Sequence, residues 1–201
     1  MKIGCDLDGC LSDFSSSLFK IVNELWPGRI SSKYIVKDWY YSDVISKDEW
    51  PAIWNKIEST PFFWYNLKPL SGVADLLKFA KRHTNWEFYF VTARSQTGQL
   101  SAIVQTKMWL IDQDLFPMHG NVRVKAVERA EDKKNYIQSQ NLDYYLDDYA
   151  PTIQELQNLA HTKSYLLLTS YNRGAQLPKV SSVAEYLKLI EDRSNGIMLG
   201  L

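Results

Sequence analysis

The sequence predicts an α/β fold, a parallel sheet covered by helices on both faces, with a helical insertion near its start. Three observations carry this reading. Five short apolar runs alternate with segments whose apolar residues recur at helical spacing, the pattern of parallel strands joined by crossover helices. Three of the runs end in polar residues, where open parallel sheets place their ligands. Between the first run and Ser71 lie about sixty residues without a convincing strand, too many for a simple loop.

The first strand is Lys2–Leu7, in which Ile3, Cys5 and Leu7 alternate with Gly4, Asp6 and Asp8. Side chains two apart on a strand share a face, so Asp6 and Asp8 project the same way and repel each other. A cation between them, or a chemical task, removes the difficulty. Gly9 lets the chain turn sharply without covering the carboxylates. An Asp pair in a surface turn is the plain alternative, since Asp-Gly is common in turns; its place at the end of an apolar run weighs against it.

Phe14–Trp26 then reads as a helix closed by Pro27-Gly28. Asp48–Glu58 reads as a second, with Asp48 a candidate N-cap and Pro51 in the tolerated first turn. Ser71–His83 carries Val73, Leu76, Leu77 and Ala80 at helical spacing, with Ser71 as candidate N-cap. Glu87–Thr92 is the second strand, and Leu100–Leu110 a helix carrying Leu100, Ile103, Val104 and Met108. Val122–Val127, Tyr144–Leu146 and Tyr165–Thr169 are the remaining strands. Asp132–Gln140, Pro151–Ala160 and Val183–Ile190 are the helices among and after them. The expected organisation is a core of residues 1–13 and 69–201 and a cap of residues 14–68, placed as a lid over the sheet.

The 201 residues suffice for one core with an elaboration. Lys and Arg number 23 and so do Asp and Glu, with no basic block, which argues against long nucleic acid as the main ligand. A single nucleotide needs only a few positive groups. No run approaches a membrane span and no leader is expected. Cys5 and Cys10 flank the acidic pair; a disulfide framework is implausible, and two buried, reduced thiols suit a cytoplasmic protein.

The second strand ends in Thr92-Ala93-Arg94, a hydroxyl and a forked donor suited to phosphate oxygens, although a Thr in a strand and an Arg at a surface are each ordinary. The fourth ends in Asp147-Asp148. Alone that pair reads equally as a turn, or as Asp148 capping the helix at Pro151. Two acidic strand ends in one parallel sheet instead make an oxygen-rich site suited to magnesium. Lys133 opens the preceding helix and is preferred over Lys134, because Tyr136 and Ile137 would pack inward while Lys133 points up. His83, His119 and His161 show no ligand spacing and read as structural or surface. Asn172-Arg173-Gly174 either approaches the site or forms a plain turn.

Asp6-x-Asp8, Thr92, Lys133 and Asp147-Asp148, in this order, resemble the four motifs of the haloacid dehalogenase-like (HAD) superfamily. The resemblance implies a Rossmann-like three-layer sheet of strand order 5-4-1-2-3, a helical cap of the C1 type, and magnesium-dependent phosphatase activity. A narrower likeness joins the opening Asp6-x-Asp8-Gly9-x-Leu11-x-Asp13-Phe14, Thr60-Pro61-Phe62-Phe63-Trp64, Leu67-x-Pro69-x-x-Gly72-Val73 and Lys107-Met108-Trp109-Leu110. These are similar to stretches of the 5'(3')-deoxyribonucleotidases. Cys10 departs from the usual Thr or Val, Thr92-Ala93-Arg94 from Thr-Ser-Pro, and the glycine expected before Phe62 is absent.

The resemblance implies Asp6 as nucleophile and Asp8 as acid and then base. Thr92 and Lys133 would hold the transferring oxygens, and magnesium would sit on Asp6, the Asp8 carbonyl and Asp148, with Asp147 as the alternative. Arg94, Phe62, Phe63 and Trp64 are the candidate substrate contacts. Trp39, Trp54, Phe62, Phe63 and Trp64 would face the site if the cap is a lid, and rings of this kind stack on a nucleobase. Trp54 reads better as cap core and Trp109 as packing. Phe62, Phe63 and Trp64 are consecutive and cannot all face one core.

The expected partner is a small nucleotide, with neither long nucleic acid nor membrane. The Gly196–Leu201 tail reads as disordered or as pairing with a second copy, so a homodimer stays open. Competing readings are a phosphatase for another small ester or a nucleic-acid end, and a binding module that kept the fold. A module has no physical need for so costly a cluster of like charges.

Overall fold

In a computed structural model, which describes residues 1–116 and 121–196, all five expected strands form. They are β1 (Lys2–Cys5), β2 (Glu87–Ala93), β3 (Val122–Val127), β4 (Tyr144–Asp147) and β5 (Lys163–Leu167); a sixth, β6 (Lys179–Val180), is too short to show as an apolar run. The sheet is parallel throughout, in the order β3-β2-β1-β4-β5-β6, which is the expected 5-4-1-2-3 arrangement extended by one edge strand. His119 and residues 197–201 lie outside the described residues.

Strands buried on both faces need an apolar set for each. In β2, Phe88 and Phe90 face one way and Tyr89 and Val91 the other. On the first face Ile3, Cys5, Phe88, Phe90 and Leu146 meet Leu76 and Phe79 of α3 (Gly72–Arg82) and Tyr186, Leu187 and Ile190 of α7 (Val183–Ser194). Trp109 and Leu110 of α4 (Ala102–Asp112) join this cluster. On the second face Tyr89, Val91, Tyr145 and Leu166 meet Ile137 of α5 (Asp132–Gln140) and Ile153 and Leu156 of α6 (Ala150–Leu156). Trp109 packs as expected, fully buried with its indole N–H donated to the Leu67 carbonyl at 2.7 Å.

Between β1 and α3 the chain forms α1 (Phe14–Leu25) and α2 (Trp50–Ser59), with a 3₁₀ turn at Lys47–Glu49 leading into α2. Leu18, Ile21, Val22, Ile53, Ile57, Phe63, Trp64 and Leu67 give this insertion its own apolar cluster. Among the described residues no helix is long and apolar enough to cross a membrane.

The caps differ from expectation. Asp13 caps α1, accepting from the Ser16 N–H at 3.0 Å. Asp48 caps nothing: it lies inside the 3₁₀ turn, where Glu49 accepts from the Ser46 N–H at 2.8 Å. Ser71 is already helical, with φ −56° and ψ −30°, so its hydroxyl lacks the extended backbone a cap needs. Strand β5 ends two residues earlier than the apolar run, because the Asn172 side chain takes the Thr169 N–H at 2.9 Å and turns the chain.

Candidate active site

The centre of the sheet fixes the site. Cys5 pairs with Phe90 on one side and Leu146 on the other, and the Asp6 N–H still reaches the Leu146 carbonyl at 2.8 Å. Asp6 therefore leaves the sheet between the ends of β2 and β4, level with Asp147. Gly9 turns the chain at φ +83°, and a Cβ there would lie 1.9 Å from Asp148 Oδ2. Glycine is required here both by the backbone conformation and by the closeness of the second acidic pair.

Lys133 rises from the start of α5 on the same face as Ile137, four residues on, which is fully buried. Its Nζ stands 2.9 Å from Asp147 Oδ2 and 3.0 Å from Asp6 Oδ1. Lys133 is thus the lysine at the site, and Lys134 is not. Asp147 also accepts from the Tyr145 hydroxyl at 3.3 Å and from the Tyr149 N–H at 2.9 Å. Asp148 does not cap α6: its Oδ2 accepts from the Tyr171 hydroxyl, and its Oδ1 is buried without a hydrogen-bond partner.

Burial dominates the electrostatics. It pushes the Asp6 carboxyl up to about 7; Lys133 opposes this, while Asp147 and Asp8 add to it. Asp148 is raised well above the usual carboxylate range by burial, then by Asp147 and Asp6. Burial lowers Lys133, but Asp147 and Asp6 outweigh it and the ammonium is held charged. Tyr171 is pushed far up by burial and by Asp148, so its phenol donates.

Oxygens of Asp6, Asp147 and Asp148 lie within 4.8 Å of one another, all buried, against the single ammonium of Lys133. Three carboxylates, one cation and an orphaned Asp148 Oδ1 leave a deficit of positive charge that a divalent ion of all-oxygen preference fits. The partners of the pair favour Asp148 over Asp147 as ligand. Asp147 has its oxygens engaged by Lys133 and the Tyr149 N–H, whereas one oxygen of Asp148 is free.

Asp8 is held differently. Arg94 grips it with both arms of its fork, Nε to Oδ2 at 2.9 Å and Nη2 to Oδ1 at 2.7 Å. Thr92 adds a hydroxyl at 3.1 Å and Ser12 another at 2.8 Å. Burial raises the Asp8 carboxyl, but Arg94 and these hydroxyls outweigh it and hold it below the usual range. The guanidinium expected to stand free for a phosphate is instead committed to Asp8, with Nη1 on the Thr106 hydroxyl at 3.0 Å. Trp64 lies against it, 5.1 Å from the guanidinium carbon to the ring centre.

Above Asp8 opens a cavity of about 270 Å³. Its walls are Asp8, Ala93 and the rings of Phe14, Trp39, Tyr40, Tyr41, Trp50, Trp54 and Trp64. Of the three consecutive aromatics only Trp64 lines it. Phe63 is buried among the insertion's own apolar residues, and Phe62, at φ +57°, turns outward with 41% of its surface exposed. Phe62 and Phe63 are therefore corrected as substrate contacts: neither reaches the cavity. Trp54 is corrected in the other direction, lining the cavity rather than filling the core.

Sequence reasoning missed Ser12, Thr106 and Tyr171. Asn172 does approach the site, donating from Nδ2 to the Asp148 carbonyl at 2.9 Å. Of the described histidines, His83 meets Glu191 and the half-exposed His161 meets Asp143, each at 2.9 Å, in keeping with the structural or surface reading. Cys5 and Cys10 are buried free thiols.

A carboxylate at the end of the central strand, a buried lysine and a second acidic pair stand on a 5-4-1-2-3 sheet, and the chain has the haloacid dehalogenase-like fold. No family model matches it. It is 26% identical over 198 residues to a "Putative nucleotidase" of Bacillus cereus, covering 95% of this chain and 98% of that protein. Among solved structures it is similar to a "putative beta-phosphoglucomutase" from Thermotoga maritima, with TM-score 0.59, 16% identity and coverage of 95% and 98% of the two chains. It is also similar to the "putative HAD-hydrolase YfnB" of Bacillus subtilis, solved bound to magnesium, with TM-score 0.55, 14% identity and coverage of 94% and 98%.

Proposed function

We propose that this protein is a magnesium-dependent phosphomonoesterase acting on nucleoside monophosphates, deoxy forms foremost, through an aspartyl-phosphate. The observation that carries the reading is the junction of two unlike environments at Asp6 and Asp8: a buried acidic cluster with Lys133 below, and an aromatic cavity with Asp8 in its wall above. The first suits a phosphoryl group and a cation, the second a flat base.

Asp6, the Asp8 carbonyl and Asp148 would hold magnesium, which when bound offsets the negative charge of phosphate and carboxylates. Lys133 favours the ionised form of Asp6 against its burial and orients it, and offers its ammonium to the transferring oxygens. An Asp6 oxygen attacks phosphorus, forming the Asp6–phosphate bond as the ester O–P bond breaks. The alcohol leaves with a proton delivered through Asp8, whose carboxylate first takes that proton from the phosphate monoanion or from solvent. Asp8 then takes one from the water that hydrolyses the acyl phosphate. For that service Asp8 must loosen from the grip of Arg94, Thr92 and Ser12, and the arriving phosphate is the competing partner for those donors. The base rests among Trp39, Trp54 and Trp64, where stacking contributes about 1–3 kcal/mol per ring without strong base choice.

The test is phosphate release from 5'- and 3'-(deoxy)nucleoside monophosphates and an aryl phosphate, with magnesium or EDTA, alongside Asp6→Asn. Magnesium-dependent turnover of nucleotides that Asp6→Asn abolishes is the expected result. Turnover of the aryl phosphate alone would discard the nucleotide. Turnover surviving in the variant would discard Asp6 as nucleophile.

A further inference from the structure

Asp148 is held at both ends by the loop after β5. Its carbonyl accepts from Asn172 Nδ2, which also reaches the Leu167 carbonyl at 2.8 Å and so pins the loop to the strand it leaves. Its Oδ2 accepts from the Tyr171 hydroxyl. With one oxygen tied, the carboxylate cannot rotate freely; one of its oxygens lies within 4.8 Å of oxygens of Asp6 and Asp147, and Oδ1 is buried without a hydrogen-bond partner.

Tyr171 is also touched from above. Trp39 of the helical insertion stands edge-on to the Tyr171 ring at 5.6 Å and against Tyr149 at 4.6 Å. The neighbouring Tyr40 hydroxyl lies 3.2 Å from that of Tyr149, whose N–H holds Asp147. The two rings on which this stretch rests thus belong to residues that help orient the acidic pair, Tyr171 through its hydroxyl and Tyr149 through its N–H. Neither belongs to the motifs that suggested the chemistry.

We propose that Tyr171 is a positioning residue for Asp148 and that, through Trp39, it couples seating of the helical insertion to filling of the metal site. The inference rests on the reading of Asp148 as a metal ligand. Partners that orient a metal ligand typically govern affinity by 10–100-fold. Coupling between two sites is reciprocal, so if Trp39 seated on Tyr171 favours the metal, the metal favours Trp39 in its seat.

The experiment is calorimetric titration of magnesium into the metal-free protein, for wild type, Tyr171→Phe, Trp39→Ala and Asp148→Asn, with melting curves to confirm folding. Hydrogen exchange over residues 38–45 is followed with and without the metal. Tyr171→Phe is expected to weaken magnesium about 10-fold, and Trp39→Ala about 5-fold. Magnesium is expected to slow exchange over residues 38–45 in wild type and to do so less in Tyr171→Phe. Should Tyr171→Phe fail to fold, Trp39→Ala and the wild-type exchange data carry the test. Wild-type affinity in Tyr171→Phe overturns the positioning role; exchange indifferent to magnesium, or unchanged affinity in Trp39→Ala, overturns the coupling. If wild type binds no magnesium, or Asp148→Asn binds as wild type does, the metal reading itself falls.

Discussion

Replacing Asp148 by Asn should make the metal-free protein more stable, although it removes a residue of the site. Asp148 is fully buried, with oxygens of Asp6 and Asp147 within 4.8 Å. At an effective dielectric of about 20, two unit charges 4.8 Å apart repel by about 3.5 kcal/mol, so two such neighbours more than offset any help from Lys133. The cost is capped, because the carboxyl can take up a proton instead. Relative to an unfolded Asp near 3.9, that ceiling is about 4 kcal/mol at pH 7.

Asn keeps the shape and the acceptor for Tyr171 while removing the charge, so a gain of about 2 kcal/mol is expected, or roughly 4–8 °C in Tm for a chain of this size. Burial and the two neighbours raise this carboxyl in the folded state, so its cost is absent near pH 4 and grows with pH up to the folded-state value. The advantage of Asp148→Asn should follow the same course. Thermal melts in EDTA across pH 4–8 provide the assay. Magnesium should reverse the order, since a ligand at 100 times its Kd adds about 2.7 kcal/mol to the protein that binds it. A metal-free variant no more stable than wild type at pH 7 would refute the claim that the acidic cluster is strained without a cation.

Three further outcomes are expected. Gly9→Ala should cost about 1–2 kcal/mol from the left-handed backbone alone, and should weaken magnesium as well, because the new Cβ displaces Asp148; chemical denaturation and calorimetry read the two effects separately. Trp64→Ala should destabilise by about 3–5 kcal/mol, whereas Phe62→Ala, at an outward-facing position, should stay within about 0.5 kcal/mol, a contrast that urea titration resolves. Trp54→Ala should raise KM for nucleoside monophosphates about 10-fold, in line with one lost stacking contact, and leave an aryl phosphate's kcat unchanged; equal losses on both would place Trp54 in structure and not in base binding.

Much of this was legible in the chain itself. β1, β2, β4 and β5 announced themselves because a strand buried on both faces must be apolar nearly throughout. β3, at the sheet edge, showed itself by Val122, Val124 and Ala126 alternating with exposed Arg123 and Lys125, and the alternation with helices implied the parallel pairing of all five. Asp6, Lys133 and Asp147-Asp148 could be nominated because strand ends and helix starts converge in such a sheet. Lys133 was separable from Lys134 because Ile137 fixes which face of α5 is buried. β6 was not legible, since two residues carry no periodicity.

The roles of the aromatic and polar partners were decided elsewhere. Nothing local distinguishes Trp64, which lines the cavity, from Phe62, which faces out: their directions follow from the packing of Phe63 and Trp64 against Phe14. Arg94 could be placed at a strand end, but whether its fork meets solvent, a ligand or Asp8 depends on a residue 86 positions away. Tyr171 reaches Asp148 across 23 positions from a loop without pattern. The sequence by itself determined the sheet, its helices and which strand ends carry charge, because burial and periodicity are properties of neighbours along the chain. Which donor satisfies which acceptor, and which ring closes over the site, only the tertiary structure decided, because those pairings depend on distances that exist once the sheet has brought distant segments together.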